Sequence, residues 1–206
     1  MKKLIALAVL SSLCTLAQAI TPASTTIDLF TSLGGTWEGA NAYAQNIDPN
    51  LSAGQYISSA TISYNNVDLV EAGSTGHGYL YTDLLNTQLP GVTTRTDNDA
   101  PGDYWATQFS GNNITSLGDE YFSKTGTTLS WNIVLTGSEL TALNSYLAAG
   151  SFNIGIDPDC HFTAGTETFT YTVATTSVPD TATTLFLLGS ALLGLEVIRR
   201  KFALAR

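Results

Sequence analysis

Polar and apolar residues alternate along several stretches of the central part of the chain, which predicts β-strands. Strict alternation gives a strand one packed face and one wet face, as is typical of antiparallel sheets with one solvated side. The predicted strands are 56–64, 67–69, 79–85, 128–135, 151–156 and 168–173. The side chains predicted to share one face within a strand are Tyr56, Ala60, Ile62 and Tyr64; Tyr79 and Tyr81; Leu129, Trp131, Ile133 and Leu135; and Phe152, Ile154 and Ile156.

One helix is predicted in the central part. Thr136 and Glu139 have the spacing of a capping box, in which each side chain accepts a hydrogen bond from the other residue's backbone N–H. Leu140, Leu143 and Leu147 follow on one helical stripe, and Gly150 is the predicted C-cap. We therefore predict an all-β fold, an antiparallel, jelly-roll-like β-sandwich with one short helix. The spacing of the strands leaves their order open.

The N-terminus has the three-part layout of a secretory signal peptide. Two lysines follow the initial Met, residues 4–13 are mostly apolar, and Ala17 and Ala19 are the small residues that a signal peptidase reads. The apolar run is shorter than the roughly 17–25 residues of a membrane-spanning helix. We predict that residues 1–19 form a signal helix that is removed by signal peptidase.

The C-terminus carries a second apolar segment, followed by a basic cluster. Residues 182–198 are predicted to form a transmembrane helix, about 25 Å long at 1.5 Å per residue. This length is at the short limit for a hydrocarbon core of about 30 Å. Arg199, Arg200 and Lys201 would stay on the cytoplasmic side, which leaves the preceding domain outside, in agreement with the signal peptide.

A short motif precedes this helix. Val178, Pro179 and Asp180, the apolar segment and the basic cluster together resemble a PEP-CTERM exosortase sorting signal in its Val-Pro-Asp-Ser-Gly variant. The next two residues are Thr and Ala, where Ser and Gly are usual. The resemblance covers residues 178–206 and implies membrane insertion, recognition by an exosortase, cleavage near Pro179–Asp180 and transfer to the cell surface or an extracellular matrix. The alternative is a plain C-terminal membrane anchor.

Charge divides the chain in the same way. The formal net charge is −9, but residues 20–180 hold only two of the eight basic residues and 16 of the 17 acidic ones. This central part lacks the basic patches that neutralise phosphates, which excludes nucleic acid as the expected partner. We predict three segments: the signal peptide 1–19, a β-sandwich domain 20–177 and the sorting signal 178–206.

The segment around the only cysteine of the predicted mature domain also resembles others. Asp157, Asp159, Cys160 and His161 belong to an Asp-Pro-Asp-Cys-His run, similar to a segment near the end of exosortase-sorted β-sandwich domains, for which the resemblance implies no activity. The cluster could be a thiol nucleophile or a metal site. The alternative is a structural turn leading into a strand, since adjacent residues of an extended chain point to opposite faces and would not meet.

Two loops are candidates for ligand binding. Asp97, Asp99 and Asp103 form an oxygen-rich segment that could hold Ca²⁺, although it does not have the EF-hand pattern. The alternative is a solvated acidic turn. His77 lies in a glycine-rich stretch that lacks the Lys of a phosphate loop, and a turn between strands is expected there.

Aromatic residues suggest a further possibility. Trp37 and Trp105 lie in loop-like surroundings and could stack on sugars if they were exposed, whereas packing in the core or at its rim is the alternative. Trp131 alternates with aliphatic residues and is expected in the core.

The sequence thus predicts an exported cell-surface or extracellular-matrix protein with a structural or adhesive role, and not an enzyme. Signal peptidase and an exosortase would process it, and an inner-membrane intermediate would precede its release. One alternative is an extracellular polysaccharide-binding module, possibly assisted by Ca²⁺. A glycan-active enzyme with paired carboxylates is a further alternative, for which the sequence reveals no such pair.

Overall fold

The strands of the protein are separated by short turns and two short helices. The structure is a computed structural model that describes residues 22–71, 78–98, 102–176, 189–194 and 199. The strands of this part are β1 (Ala23–Leu29), β2 (Thr36–Trp37), β3 (Asn41–Ile47), β4 (Gln55–Glu71), β5 (Gly78–Leu85), β6 (Val92–Thr96), β7 (Ile114–Phe122), β8 (Thr128–Leu135), β9 (Phe152–Pro158), β10 (His161–Thr163) and β11 (Thr166–Thr175). The helices are α1 (Tyr104–Gln108) and α2 (Gly137–Leu147), with single 3₁₀ turns at Thr31–Leu33 and Gly111–Asn113.

The chain divides into two compact units, Met1–Ala174 and Thr175–Arg206. All the strands named above belong to the first unit, apart from the last residue of β11. In the second unit, residues 189–194 are helical. The predicted signal peptide lies outside the described residues, as does most of the predicted transmembrane helix 182–198.

The strands form two sheets. The six-stranded sheet has the order β1-β11-β4-β10-β2, and β8 pairs with β4 beside this row. The five-stranded sheet has the order β6-β3-β9-β5-β7, and each of its pairs is antiparallel. The pairs β1–β11, β4–β8, β4–β10 and β2–β10 are antiparallel as well. The prediction of an all-β antiparallel fold is confirmed.

Side chains from both sheets pack into one hydrophobic core. Phe152 of β9 contacts Phe169 of β11 edge to face, with ring centroids 5.8 Å apart, and so joins the five-stranded sheet to the six-stranded one. Phe122 of β7 contacts Phe162 of β10 in the same way at 4.9 Å. A buried hydrogen bond of 3.0 Å between the hydroxyls of Tyr64 and Thr82 adds a polar link across the core.

The predicted alternation holds along most strands. In β8 the four predicted core residues lie on the more buried side, and in β11 Phe169 and Tyr171 are buried. The prediction is wrong at Tyr56, which is exposed, because Ile57 takes the inward position and the pattern changes phase before Ala60. A second irregularity, between Tyr64 and Val67, restores the inward position to Val67.

The predicted helix is α2. Its capping box is present as predicted, with Thr136 as N-cap and Glu139 as its partner. Asn144 fastens the helix to β4, since its side chain accepts a hydrogen bond from the N–H of Ile57 and donates one to the same residue's carbonyl. The helix ends earlier than predicted, with Ala148 rather than Gly150 as C-cap. The sequence patterns did not predict the shorter helix, α1.

Candidate functional site

The outer face of the five-stranded sheet, which points away from the shared core, carries an unusual set of side chains. Along β5 the outward positions are Tyr79, Tyr81, Asp83 and Leu85. The two tyrosines are half-buried, whereas Asp83 and Leu85 are completely buried. The outer side of β5 is therefore accessible at the two tyrosines and covered at Leu85. The buried carboxyl group of Asp83 lies between these two regions.

Helix α1 supplies the cover. Trp105 packs on the outer face against Ala42, Ala44 and Leu85, and its indole N–H donates a hydrogen bond of 3.1 Å to the carbonyl of Ile156. Gly155 makes this contact possible, because a Cβ at that position would come within 2.9 Å of the indole ring. The helix thus builds a second small core outside the sheet.

Five carboxyl groups gather at the edge of this cover, and we call them the carboxylate cluster: Asp83, Asp97, Asp103, Asp157 and Asp159. They come from β5, from the residue after β6, from the N-cap of α1, from β9 and from the turn after β9. Sheet pairing brings Asp83 and Asp157 together. Gly155 lies opposite Asp83, so Asp157 is the diagonal neighbour of Asp83 on the same face of the sheet, and such neighbours are about 7–8 Å apart.

Backbone groups fix two members of the carboxylate cluster. Asp103 caps α1, because its carboxylate accepts a hydrogen bond of 3.1 Å from the N–H of Ala106. One oxygen of Asp157 accepts a hydrogen bond of 2.6 Å from the N–H of Tyr104. The first bond closes the N-terminus of the short helix, and the second ties that N-terminus to β9.

Burial and mutual repulsion disfavour the charged form of these groups. Burial raises the pKa of Asp83 to about 8, and the charges of Asp103 and Asp157 act in the same direction. Burial also raises the pKa of Asp157 to about 7 and that of Asp159 to about 6, in each case against an opposing backbone hydrogen bond. The negative charge of Asp97 contributes to both of the latter shifts.

Several oxygens of the carboxylate cluster are unsatisfied. Asp83 has no exposed surface, and the hydrogen-bonding neighbours of its carboxyl group are the side chains of Asp103 and Ser116. One oxygen of Asp157 and one of Asp159 lack a hydrogen-bond partner among the described residues. A buried polar group without a partner is costly, and buried charges are normally paired or bound to a metal.

The structure brings together two of the three residues predicted as calcium ligands. Asp97 and Asp103 belong to the carboxylate cluster, whereas Asp99 lies outside the described residues. Across residues 22–71, 78–98, 102–176, 189–194 and 199, no group of three His, Cys, Asp or Glu side chains is arranged so that it could hold a metal ion. The carboxylate cluster is therefore not a closed coordination shell in this geometry.

The accessible end of the same face carries three aromatic rings, which we call the tyrosine patch: Tyr79, Tyr81 and Tyr121. Tyr79 stacks on Tyr81 with centroids 6.0 Å apart and contacts Tyr121 of β7 at 5.0 Å. Tyr121 is 46% exposed. A hydrogen bond between Tyr81 and Asp159 joins the tyrosine patch to the carboxylate cluster.

The two tryptophans considered as possible sugar platforms are both buried, so they follow the alternative of packing in the core and not that of stacking on a sugar. Trp37 is completely buried and makes edge contacts with Phe30 and Tyr64. Trp105 is 1% exposed beneath the cover described above. Stacking on a sugar needs an accessible ring face, and neither indole offers one. Their loop-like sequence surroundings left both possibilities open, because the covering contacts come from distant residues.

Cys160 and His161 lie in different surroundings. Cys160 is buried in the main core, with its side chain next to Gly78. His161 is about half exposed and pairs with Glu38, with Nε2 and Oε2 2.5 Å apart. The expectation of opposite orientations agrees with this arrangement. The other histidine, His77, lies outside the described residues.

The tail has a clear relative among known protein families. Residues 177–202 match the family model of the VPDSG-CTERM motif. This is a PEP-CTERM-like exosortase sorting signal. The match confirms the interpretation drawn from Val178, Pro179 and Asp180 together with the basic residues Arg199, Arg200 and Lys201. No curated protein matches the chain.

The sorting signal indicates an exported, surface-associated protein that an exosortase processes. Of its six predicted motif residues, only Arg199 belongs to the described part of the chain. The helices in that part include none that is long and apolar enough to cross a membrane.

Sequence reasoning missed the buried members of the site. Asp83 sits within a stretch that was recognised as a strand, and its position between Tyr81 and Leu85 gave an available signal: a charge on the outward face next to an apolar residue. Asp157 and Asp159 were considered only as partners of Cys160. The tyrosine patch was visible as the paired Tyr79 and Tyr81, but its third member comes from β7.

Proposed function

We propose that this chain is an exosortase-processed protein of the cell surface or extracellular matrix, with a structural or adhesive role and no enzymatic activity. The observation that carries this proposal is the VPDSG-CTERM motif at residues 177–202. In such a pathway the chain passes through an inner-membrane intermediate, with the helix at about 182–198 in the bilayer, before the domain is released to the outside.

The sheet architecture supports a structural module. The order β1-β11-β4-β8 in one sheet and β3-β9-β5-β7 in the other is the interleaved order of a jelly roll, with β6 added at the outer edge beside β3. We infer from this order that the exported domain is a jelly-roll β-sandwich. Fold alone does not define an activity, so the role rests on the sorting signal and not on the architecture.

The surroundings of the acidic residues support a non-enzymatic role. A glycan hydrolase needs two carboxyl groups that flank the scissile bond and touch the substrate. Asp83 and Asp157 have no exposed surface, so a glycan does not reach them in this arrangement. The carboxylate cluster therefore fits an internal structural site better than a catalytic cleft.

Mass spectrometry of the protein recovered from the cell surface tests the sorting pathway. We expect a C-terminus near Asp180 and an N-terminus at Ile20. A matched strain that carries Pro179→Ala and Asp180→Ala should retain the full tail in the membrane fraction. Recovery of surface protein that ends at Arg206 would overturn the proposal.

A second candidate function is the binding of extracellular polysaccharide, and the tyrosine patch is the observation that favours it. Three neighbouring rings, one of them nearly half exposed, form an apolar surface with hydroxyl groups at its rim. Aromatic rings with polar ends are suited to wet, partly apolar contacts. The surface lies next to the carboxylate cluster, so a ligand there would be close to any bound cation.

Glycan-array binding tests this second candidate. Tyr121→Ala should remove binding, whereas Tyr56→Ala should leave it unchanged, because Tyr56 is similarly exposed but lies on β4 of the other sheet. Binding to no glycan, with or without Ca²⁺, would eliminate a carbohydrate-binding role and leave the structural one.

A further inference from the structure

The free edges of the two sheets differ in how well they are protected against the addition of another strand. In the part of the chain that the structure describes, β1 and β2 end the row of the six-stranded sheet, β8 lies beside that row, and β6 and β7 end the five-stranded sheet. A free edge presents unpaired N–H and C=O groups that can pair with another chain. Proteins block such pairing with very short strands, bulges, prolines or charged side chains.

Four of these five edges carry such protection. β2 has two residues, and β6 has five, among them Arg95. β1 contains Asp28 and directly follows Pro22. β7 contains Asp119 and Glu120, and a register shift interrupts its pairing with β5. A second copy of any of these strands would meet a charge, a break or too short a partner.

The edge of β8 has none of these features. Its eight residues, Thr128–Leu135, include no glycine, no proline and no charged side chain. β8 pairs with β4 along one side, and its other side has no strand partner among the described residues. Threonine, isoleucine and valine within it favour the extended conformation. β8 is therefore an open template for a further antiparallel strand.

The hydrophobic core is incompletely covered next to this edge. Leu129, Trp131 and Ile133 point towards the core but are only half-buried. An open groove lies between β8 and β7, and its lining includes Leu117, Trp131 and Ile133. A strand added beside β8 would cover these apolar side chains, so apolar burial would add to the main-chain hydrogen bonds.

The charge of the domain favours a second copy of β8 as this strand. Two identical strands can pair antiparallel about a two-fold axis, which gives a closed and self-complementary contact. Because β8 carries no charge, no register of this pairing places like charges opposite each other. Residues 20–180 contain 16 acidic side chains and two basic ones, and the β7 side of the groove carries Asp119 and Glu120. Two copies therefore repel each other over most other surfaces.

We propose that two copies of this protein associate by antiparallel pairing of their β8 strands, which joins their six-stranded sheets into one continuous sheet. The outward side chains Ser130, Asn132 and Val134 then lie beside those of the partner on one face of that sheet. Val134, which is 59% exposed in the single chain, gains a neighbouring surface. The inference is independent of the sorting proposal, which rests on residues 177–202.

Sedimentation of the full-length chain in detergent, over a range of concentrations, tests the proposal. We expect a reversible monomer–dimer equilibrium. Asn132→Lys and Val134→Lys should each weaken it at least about tenfold, because each brings two lysines together across the paired strands. Both substitutions also make the domain less negative, so general charge repulsion alone would predict stronger association.

Ser24→Lys is the matched control. It makes the same change of charge at an exposed position of the edge strand β1, and it should not weaken the dimer. The sorting tail is unaltered in all three variants, so association through the tail would not respond to the substitutions in β8. A dimer that persists unchanged in both Asn132→Lys and Val134→Lys would overturn the proposal, as would a chain that stays monomeric up to about 10⁻⁴ M.

Disulfide cross-linking locates the contact without relying on a loss of association. Directly opposite residues of paired strands have Cα atoms about 4.5–5.5 Å apart, a distance that a disulfide spans. Ser130→Cys, Asn132→Cys and an equal mixture of the two variants sample three central registers of the β8 pair. We expect one of these samples to give a linked dimer on mild oxidation, whereas Ser24→Cys should give none. The natural Cys160 is buried and provides the background.

The same cysteine variants, oxidised on intact cells, identify the partner by mass spectrometry. A disulfide between the β8 strands of two copies supports the proposal. A disulfide from β8 to a different protein would overturn it, because the edge would then serve another chain.

Discussion

The two sheets share one core, but their outer faces differ. On the six-stranded sheet the outer face is solvated, and β8 alternates between exposed and half-buried residues along most of its length. On the five-stranded sheet every residue of β9 is buried, because α1 and its tryptophan cover the side that would otherwise face water. The same alternating pattern therefore gives a solvated outer face in one sheet and buried polar side chains on the outer face of the other.

The two sheets also differ in the carboxyl groups that they bury. The five-stranded sheet buries several of them together on its outer side, where their charges raise one another's pKa. Among the described residues, the six-stranded sheet buries a single one, Glu167 of β11, on the inward side next to Phe169. One oxygen of Glu167 also lacks a hydrogen-bond partner among the described residues, but no second carboxyl group causes its pKa shift. Burial alone thus raises the pKa of the lone acid, whereas in the group burial and neighbouring carboxyl groups act together.

The cover on the five-stranded sheet should be the most sensitive part of this comparison. Trp105→Ala removes a fully packed indole and its hydrogen bond to Ile156, and should lower the free energy of unfolding by about 3–5 kcal/mol. Denaturant unfolding in EDTA measures the loss. Val134→Ala on the outer face of β8 is the control and should change stability by less than about 0.5 kcal/mol, since Val134 is largely exposed. Equal losses would show that the two faces do not differ.

The lone buried acid should make stability depend on pH. Burial raises the pKa of Glu167 to about 7, so the folded state holds the proton more tightly than the unfolded chain. Its contribution is complete below a pH of about 4.5 and is lost as the pH rises through about 7. Glu167→Gln should therefore be more stable than the unaltered chain at pH 8, by about 1–3 kcal/mol, and gain little at pH 4.5.

Unfolding curves recorded at several pH values in EDTA check this effect. Glu139→Gln is not a suitable control, because Glu139 takes part in the capping box of α2. Glu71→Gln, at an exposed position at the end of β4, should leave the pH dependence as it is. A Glu167→Gln variant with the same pH dependence as the unaltered chain would contradict the prediction.

The close approach of α1 to the sheet gives a smaller effect of the same kind. Gly155→Ala places a methyl group 2.9 Å from the indole of Trp105 and should cost about 1–3 kcal/mol, since a packed region tolerates extra volume poorly. Trp105 fluorescence should change at the same time. Unchanged stability and an unchanged spectrum would mean that the helix lies farther from the strand than the structure places it.

The hydroxyl-rich outer face of the six-stranded sheet should respond least. The Thr26 and Thr170 hydroxyls lie 2.9 Å apart on neighbouring strands, at a position where water can replace either partner. Thr170→Val should change the free energy of unfolding by less than about 0.5 kcal/mol in a denaturant titration. A loss above about 1 kcal/mol would show that this face, too, carries a structural polar network.

Sequence patterns predicted a large part of the fold. The alternation in β8 and β9 gave the correct inward residues, and it gave a strand at β11. The capping box of α2 gave the correct start of the helix. The pattern failed at Tyr56, because a local change of phase within a long strand does not alter the average alternation. Short or weakly alternating strands such as β2, β6 and β10 carried too few residues for a pattern to emerge.

The candidate site was accessible to sequence reasoning only in fragments. Asp97 and Asp103 stood out because they are close together in the chain. Asp83 and Asp157 did not, since each lies alone in its strand and the sequence contains no signal for which strands pair. For Trp37 and Trp105 the polar and glycine-rich neighbours left an exposed ring possible, and only the packing of distant residues shows that both are buried.

The sequence by itself determined the destination of this protein and the type of its elements. A sorting signal is recognised as a linear motif, and a strand or a capped helix depends on neighbours a few residues away, so both can be read from local order. The tertiary structure alone decided which aspartates meet and which aromatic rings are accessible. Antiparallel pairing of β5 with β9 and the packing of α1 on the sheet bring distant residues together, and burial then raises the pKa of carboxyl groups that are ordinary in the sequence.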